Sequence, residues 1–580
     1  MSPTPPSDQP QGRSVQFHAR VIGALTLLSR LVGLVREVIA YRAFGADAVY
    51  AAFVFAFSVP NLFRKLFGEG ALTASFIPRY AKVRQEHADD PAAANQFAVA
   101  SVNLLILILS ALTIAGEALL LLVIFQMDLR PDHMLAARLS AIMLPYVMLV
   151  CGAAFLGAIL QSHGRFVAFG LASTVLNVTT IITIVAMGLI FDLSTPAGRI
   201  AGTYGLAAAV LVAGLLQIAV LVPSLRKIGF RYHPTVFVLT PAVRAMLASS
   251  VPVFLGAGVL QIGVLLDKLI ALMLSGTATA THFTLFGQSI AYPMAEGAAA
   301  RLNLAQYLYQ FPLAIFATAV ATAAFPKLAG EALLEDKTAY RQVMKRGIES
   351  ALFTGLPASV GLILVAGPAV QLLFQAGNFT PEDARLTALS TMIYASAIWA
   401  LSVQQIVSRG YYALNDYITP LIWTALNLLI NLVVEIPLIF TPLGEAGMAV
   451  GTLVSFAVQA IFMTWFLSRR VGGLDLIESR GRILTMLVAA LAMGVVCFAV
   501  SFLPIYPTGD GRFAALGRLF ILMITGACVY ALICQFAGLP VLSQYLRRRK
   551  PAPATTLPTE PRTPAAIDGP RNDGPRNNDQ

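Results

Sequence analysis

Charge is scarce in this sequence. Asp, Glu, Lys and Arg make up 12% of 580 residues, against 57% hydrophobic, and the mean hydropathy is +0.75. A soluble globule carries about 25% charge, so that class is excluded. Cysteine is also rare. Cys151, Cys497, Cys528 and Cys534 all lie in apolar segments without CxxC or metal-ligand spacing, and they read as small buried hydrophobes. Six histidines (His18, His87, His133, His163, His233, His282) are dispersed without HxxxH grouping, which argues against metal chemistry. No A-x-A-like cleavage site follows the first apolar run, so no cleavable signal peptide is expected.

Long apolar runs are what the chain does have. A run of about 20 residues spans a bilayer as a helix, the conformation that satisfies its own backbone in lipid. About fourteen such spans are predicted: 21–45, 48–77, 97–126, 136–161, 167–191, 201–223, 245–274, 299–326, 347–374, 386–412, 419–440, 444–468, 482–504 and 513–537. The expected class is an all-α polytopic membrane protein. Residues 541–580, rich in Pro, Thr, Asn and Asp from Pro551 onward, read as a disordered tail.

The net charge is +11, and its placement is informative. Lys and Arg gather in alternate loops, at Arg79–Arg84, Arg226–Arg231, Lys337–Arg346, Arg469–Arg482 and Arg547–Lys550. The opposite loops hold few, such as Arg130, Arg199 and Arg385. The positive-inside rule then places both termini in the cytoplasm, with an even number of spans. Basic residues that flank helix ends at intervals form no nucleic-acid stripe, so no nucleic-acid partner is expected.

Four cations lie inside the first two apolar segments: Arg30, Arg36, Arg64 and Lys65. A charge at membrane depth costs roughly 2.5 kcal/mol or more and usually faces a cavity, a counter-ion or a substrate. The alternative is snorkelling to the surface. The chain also repeats at an offset near 250. Ala74–Lys82 matches Ala323–Ala329, and Gly157–Phe166 with Asn177 matches Gly410–Pro420 with Asn431. Two six-helix halves that both begin inside, plus two further helices, are expected.

The order of motifs resembles the MurJ (MviN) family of lipid II flippases, within the multidrug/oligosaccharidyl-lipid/polysaccharide exporter superfamily. The matching residues are Ser29-Arg30-x-x-Gly33-x-x-Arg36-Glu37, Phe44-Gly45-Ala46, Pro60-Asn61-Leu62-Phe63-Arg64-Lys65 and Glu69-Gly70-Ala71, ending at Phe76-x-Pro78. Tyr309–Leu313, Leu373–Thr380, Arg409–Asp416, Thr419-Pro420, Gly447 and Thr452 continue it, so the resemblance covers about residues 20 to 540.

The resemblance implies two lobes in a V around a central cationic cavity, with spans thirteen and fourteen forming a groove for the polyprenyl tail. The corresponding divisions are a cytoplasmic N-terminal tail (1–20), an N-lobe (21–223), a linker (224–244), a C-lobe (245–468), the groove helices (469–540) and the tail (541–580). It also implies transport of undecaprenyl-diphosphate-linked disaccharide-pentapeptide across the bacterial inner membrane by alternating access, without enzymatic chemistry.

A diphosphate calls for permanently charged planar donors, which Arg supplies. The substrate-binding candidates are Arg30, Gly33, Arg36, Glu37, Arg64 and Lys65. Arg30 and Arg36 are about 9 Å apart along a helix and about 120° around it. They either grip different oxygens, or one holds phosphate while the other pairs with Glu37. Gly33 admits a headgroup or a neighbouring helix. Glu69 and Gly70 read as a helix break or a partner for Lys65. A sodium coupling site is implied at Asp267, Asn427, Asn431 and Thr452; interhelical hydrogen bonding by the asparagines is the competing role.

Two positions depart from the family pattern. An acid is usual near Ala51, with Asp47 one turn away as a candidate substitute. An arginine is usual where this chain has Tyr307, and Arg301 lies on another face. The expected clamp is therefore carried mainly by the first half.

Rival readings are a flippase for another polyprenyl-diphosphate oligosaccharide, a drug or cation antiporter, and a polytopic transferase. An antiporter favours cavity acids, and a transferase needs a carboxylate cluster or DD-type pair, for which Asp89-Asp90 is the single Asp-Asp pair. The expected partners are lipid II, membrane lipids and proteins of cell-wall synthesis or division.

Overall fold

The computed structural model describes residues 11–68, 71–233, 239–509 and 511–539. The first half comprises α1 (Gln11–Phe44), α2 (Ala48–Phe63), a π-helical turn (Arg64–Gly68), α3 (Ala71–Glu86), α4 (Pro91–Gln126), α5 (Pro131–Met143), α6 (Tyr146–Ser162), α7 (Phe166–Ile190) and α8 (Pro196–Lys227). The second half runs through α9 (Pro241–Met273), α10 (Ala298–Ala332), α11 (Thr338–Leu373), α12 (Pro381–Ala395), α13 (Ile398–Ala413), α14 (Ile418–Ile439) and α15 (Ala446–Arg470). Helices α16 (Arg480–Val500) and α17 (Arg512–Phe536) follow.

Several helices begin where their sequence dictates. Thr195-Pro196, Thr240-Pro241 and Thr380-Pro381 each pair an N-cap hydroxyl with a proline in the first turn, where the missing N–H costs nothing. At α12 the cap is reciprocal: Thr380 accepts from the Asp383 backbone at 3.1 Å, and Asp383 accepts from the Thr380 backbone at 3.1 Å. Such a cap is worth roughly 1 kcal/mol.

The repeat is visible in the architecture. α7 packs between α1 and α8, as α14 packs between α9 and α15. The expected spans 136–161 and 386–412 are each bent pairs rather than single helices, at 43° and 42°. Their breaks follow Met143 and Ala395, 252 residues apart (395 less 143). After each pair comes the same turn. Arg165 N donates to Leu160 O and Asp416 N to Tyr411 O, both at 2.9 Å, around left-handed Gly164 and Asn415.

The count of about fourteen spans is not confirmed. Among the described residues ten helices are long and apolar enough to cross a membrane, or twelve with each bent pair taken as one. The expected spans 21–45 and 48–77 correspond to α1, which carries Arg30, Arg36 and Glu37, and to the broken α2–π–α3 run. α2 has 16 residues, about 24 Å of helix against a hydrocarbon core of about 30 Å.

Two further differences concern element type and limits. The all-α expectation missed an antiparallel hairpin, His282–Leu285 with Gln288–Ala291, turning through left-handed Phe286 and Gly287. α1 begins at Gln11, so the helix already covers 11–20 of the expected N-terminal tail. The expected tail at 541–580 and the pair Glu69-Gly70 lie outside the described residues.

α16 and α17 attach to the second half through α11. The Tyr530 hydroxyl donates to Phe353 O at 2.9 Å, and buried Glu349 accepts from Ser479 at 2.5 Å while pairing with Arg482 at 3.0 Å. Within the second half, Arg301 is 2% exposed and bound by Glu445 at 2.6 Å and Asp383 at 3.0 Å. It ties the starts of α10, α12 and α15 together.

Candidate functional site: a cationic cavity between the halves

A cavity of about 770 Å³ separates the halves, and its charged lining is Arg30, Arg36, Glu37, Arg64, Lys65 and Lys268. Five cations against one carboxylate, in a site walled by apolar helices, make a strongly positive field.

α1 contributes one stripe of it, at Ser29, Arg30, Arg36, Glu37 and Ala40. Arg36 is paired with Glu37, while Arg30 is exposed to the cavity. Of the two arrangements the sequence left open, the resting structure therefore has one arginine paired and the other turned to the cavity. Gly33 sits under two neighbours. A Cβ there would stand 3.3 Å from the Tyr307 hydroxyl and 3.6 Å from the Asn177 amide. It admits neighbouring helices, α10 and α7.

The π-helical turn positions the next pair. Pro60 removes one backbone donor near the end of α2, and the helix widens into the π-helical turn at Arg64–Gly68. Arg64 donates to Asn61 Oδ1 through Nε at 3.1 Å and Nη2 at 2.9 Å. That fork fixes its guanidinium at the wall of the cavity.

The second half lines the cavity with Gln261, Lys268, Asn303, Gln306, Tyr307 and Gln310. Lys268 adds one second-half cation to the four of the first half, so the cavity charge lies mainly, but not solely, on the first half. Its neighbour Asp267 points elsewhere, since adjacent helical residues lie about 100° apart. Arg301, locked in its buried triad, supplies nothing here. Neither does Asp47, which caps α2 through Tyr50 N at 2.9 Å and pairs with Arg199 at 2.7 Å. Burial pushes the Asp47 carboxyl above its ordinary range, with the Tyr50 and Arg199 contacts opposing.

One end of the cavity is sealed. The Tyr41 hydroxyl donates to Ala300 O at 2.6 Å, Arg42 to Leu372 O at 3.0 Å, and Asn378 Nδ2 to Ala43 O at 2.6 Å and Leu193 O at 2.8 Å. Two glycines permit this approach. A Cβ on Gly297 would stand 1.6 Å from Ala46 O, and one on Gly377 would stand 2.2 Å from Arg42 O. Both have left-handed backbones as well, at φ of 79° and 61°. Away from this seal the lining runs to Gln161 and Phe166, beside Arg165, at the end bearing the basic loops.

A family model described as lipid II flippase MurJ matches residues 39–510. The chain belongs to the MurJ family. It is similar to the probable lipid II flippase MurJ of Rhizobium tropici, 30% identical over 92% of this chain and 97% of the relative. The one from Bdellovibrio bacteriovorus is 27% identical over 93% and 98%. Among solved structures, a lipid II flippase MurJ in an inward closed conformation matches with a TM-score of 0.68, at 22% identity, over 91% of this chain and 99% of that one. An inward-facing multidrug resistance MATE transporter matches at 0.57, with 16% identity over 79% and 99%, and shares the fold.

The implied MurJ cation site is only partly assembled from the mapped residues. Asn431 Nδ2 donates to Asp267 Oδ1 at 3.3 Å and to Glu435 Oε2 at 3.0 Å. Glu435, fully buried, is the residue the sequence reading missed. Asn427, Asn431 and Glu435 recur every fourth residue on the buried face of α14, a spacing that contained the signal. Thr452 bonds within its own helix to Met448 O at 3.3 Å, and buried Asn427 Nδ2 has no hydrogen-bond partner. Asn431 Oδ1 and Glu435 Oε1 are also buried without partners. Gly451 lets α15 close on them, since a Cβ there would meet Glu435 at 2.8 Å and Asn431 Oδ1 at 3.0 Å. One orphaned carboxylate oxygen, on Glu435, and one orphaned amide oxygen, on Asn431, beside the Asp267 carboxylate, are hard donors that fit an alkali cation.

Proposed function

We propose that this chain carries lipid II, the undecaprenyl-diphosphate-linked disaccharide-pentapeptide, from the inner to the outer leaflet of the bacterial cytoplasmic membrane by alternating access. The observation that carries this reading is the cavity with five cations and one carboxylate, sealed at one end, in a chain of the MurJ family. The positive-inside rule puts the basic loops, and with them the open end, in the cytoplasm, where the precursor is made. Both termini are then cytoplasmic, with cell-wall synthesis or division proteins as partners.

Arg30, Arg36, Arg64 and Lys65 engage the diphosphate. When it arrives, Arg36 exchanges Glu37 for phosphate oxygens, and Arg30 is already free to turn to it. The groove formed with α16 and α17 takes the polyprenyl tail. Sodium is the proposed coupling ion, held by Asp267, Asn431 and Glu435. A drug or cation antiporter is disfavoured by the sign of the cavity charge. The test is depletion of the resident flippase in a bacterium, complementation with this chain, and measurement of lipid II exposed at the outer leaflet. Restored exposure supports the reading; normal expression without restored exposure overturns it.

A further inference from the structure

Lys268 is a cation whose hydrogen bonds go only to neutral groups. Its Nζ donates to two neutral oxygens, Ser58 Oγ and Asn303 Oδ1, both at 2.7 Å, and among the described residues it has no ion pair. The carboxylate next to it, Asp267, bonds Asn431 on the other side of α9. An ammonium has three donors, and a cavity-lining cation with two of them on neutral oxygens and no ion pair attracts an anion.

The two partners are not incidental. Ser58 belongs to α2 in the first half, and its own hydroxyl proton goes to Val54 O at 2.6 Å, leaving lone pairs for Lys268. Asn303 belongs to α10, and its Nδ2 donates to the Tyr41 hydroxyl at 3.3 Å. Tyr41 is fully buried in α1 and donates in turn to Ala300 O, under the seal. Lys268 is therefore joined to the first half twice, directly through Ser58 and indirectly through Asn303 and Tyr41.

We infer that Lys268 is the second half's ligand for the diphosphate, and that an entering diphosphate draws it away from Ser58 and Asn303, loosening the seal. This rests on the proposed substrate reading and adds how the substrate's charge is sensed. A phosphate oxygen is a stronger acceptor than the hydroxyl and amide it replaces. Binding and release are thus coupled through one side chain, because the ligand favours the state in which the latch is broken.

The test uses the full chain in nanodiscs, with undecaprenyl diphosphate and inorganic pyrophosphate as probes. Spin labels at Ser194→Cys and Gln288→Cys report the distance across the sealed end; both sites are exposed. Lys268→Met is expected to weaken both probes at least tenfold and to abolish the diphosphate-dependent lengthening of that distance. Lys268→Arg is expected to restore both. Ser58→Ala, which removes one latch acceptor and keeps the Lys268 charge, lengthens the distance before any probe is added. Wild-type affinity in Lys268→Met, with Arg30→Ala still weakened, overturns the role of Lys268 and leaves the substrate reading standing. A loss confined to the lipid places the contact on the tail and overturns the anion assignment. No diphosphate binding by the wild-type protein overturns both.

Discussion

The Tyr307 hydroxyl of α10 lies 3.3 Å from the point where a Cβ on Gly33 of α1 would stand. Gly33 is one turn from both Arg30 and Arg36. The second half therefore touches the row of cations in the first half at the position where a side chain is missing. Gly33→Ala presses on the Tyr307 hydroxyl oxygen, which has to shift by only a few tenths of an ångström, and a modest loss of transport is expected. Gly33→Val forces α1 and α10 apart and is expected to abolish transport at normal expression. Tyr307→Phe should partly relieve Gly33→Ala, measured by complementation.

The same contact sets what an arginine at position 307 would do. With Lys268 in place, a guanidinium beside Gly33 joins a cavity that already holds five cations, and Tyr307→Arg alone is expected to bring no gain. In a Lys268→Met background it replaces the lost second-half charge. At least half of the lost affinity for undecaprenyl diphosphate should return in the double variant.

Arg30 and Arg36 differ in their resting partners, and their variants should differ too. Charge-assisted hydrogen bonds contribute about 1.5–3 kcal/mol, or roughly 10- to 150-fold in affinity. Arg30→Ala should weaken diphosphate binding by that amount. Arg36→Ala should weaken it and also leave Glu37 without its ion-pair partner in the cavity, so Arg36→Ala with Glu37→Gln should bind better than Arg36→Ala alone. Titration of undecaprenyl diphosphate against each purified variant checks this.

The buried triad at Arg301 is a stability feature rather than a transport one. Removing one partner of a buried ion pair costs about 3–5 kcal/mol, because the remaining charge is left uncompensated. Glu445→Ala is expected to lower the thermal unfolding midpoint of the detergent-solubilised protein markedly, while Glu382→Ala, in an exposed pair with Arg385, should leave it unchanged.

If Asp267, Asn431 and Glu435 hold sodium, the cation stabilises the folded chain by mass action. Replacing choline by sodium should raise the unfolding midpoint of the wild-type protein. Asp267→Asn and Glu435→Gln should each remove that increment, and Asn427→Ala should retain it.

The sequence made most of the helices legible, because apolar runs of bilayer length and Thr-Pro starts are local signals. The bends after Met143 and Ala395 were not legible. Only the first has a proline beside it, Pro145, and the second is built from Ser396 and Ala397. Arg30, Arg36, Arg64 and Lys65 were readable as cavity residues because charge at membrane depth needs a reason. Lys268 was harder to place. Next to Asp267 it reads as half of a local pair, and only the 100° step around α9 sends the two side chains to different environments. Glu435 was overlooked although it continues the spacing of Asn427 and Asn431.

Translocation of fluorescent lipid II in proteoliposomes containing the purified chain decides whether the cationic cavity carries the lipid. The wild-type protein is expected to move the lipid between leaflets, and Arg30→Ala, Arg36→Ala and Arg64→Ala each to slow it at least tenfold at equal reconstitution. Unchanged rates in all three variants would contradict that role of the cavity.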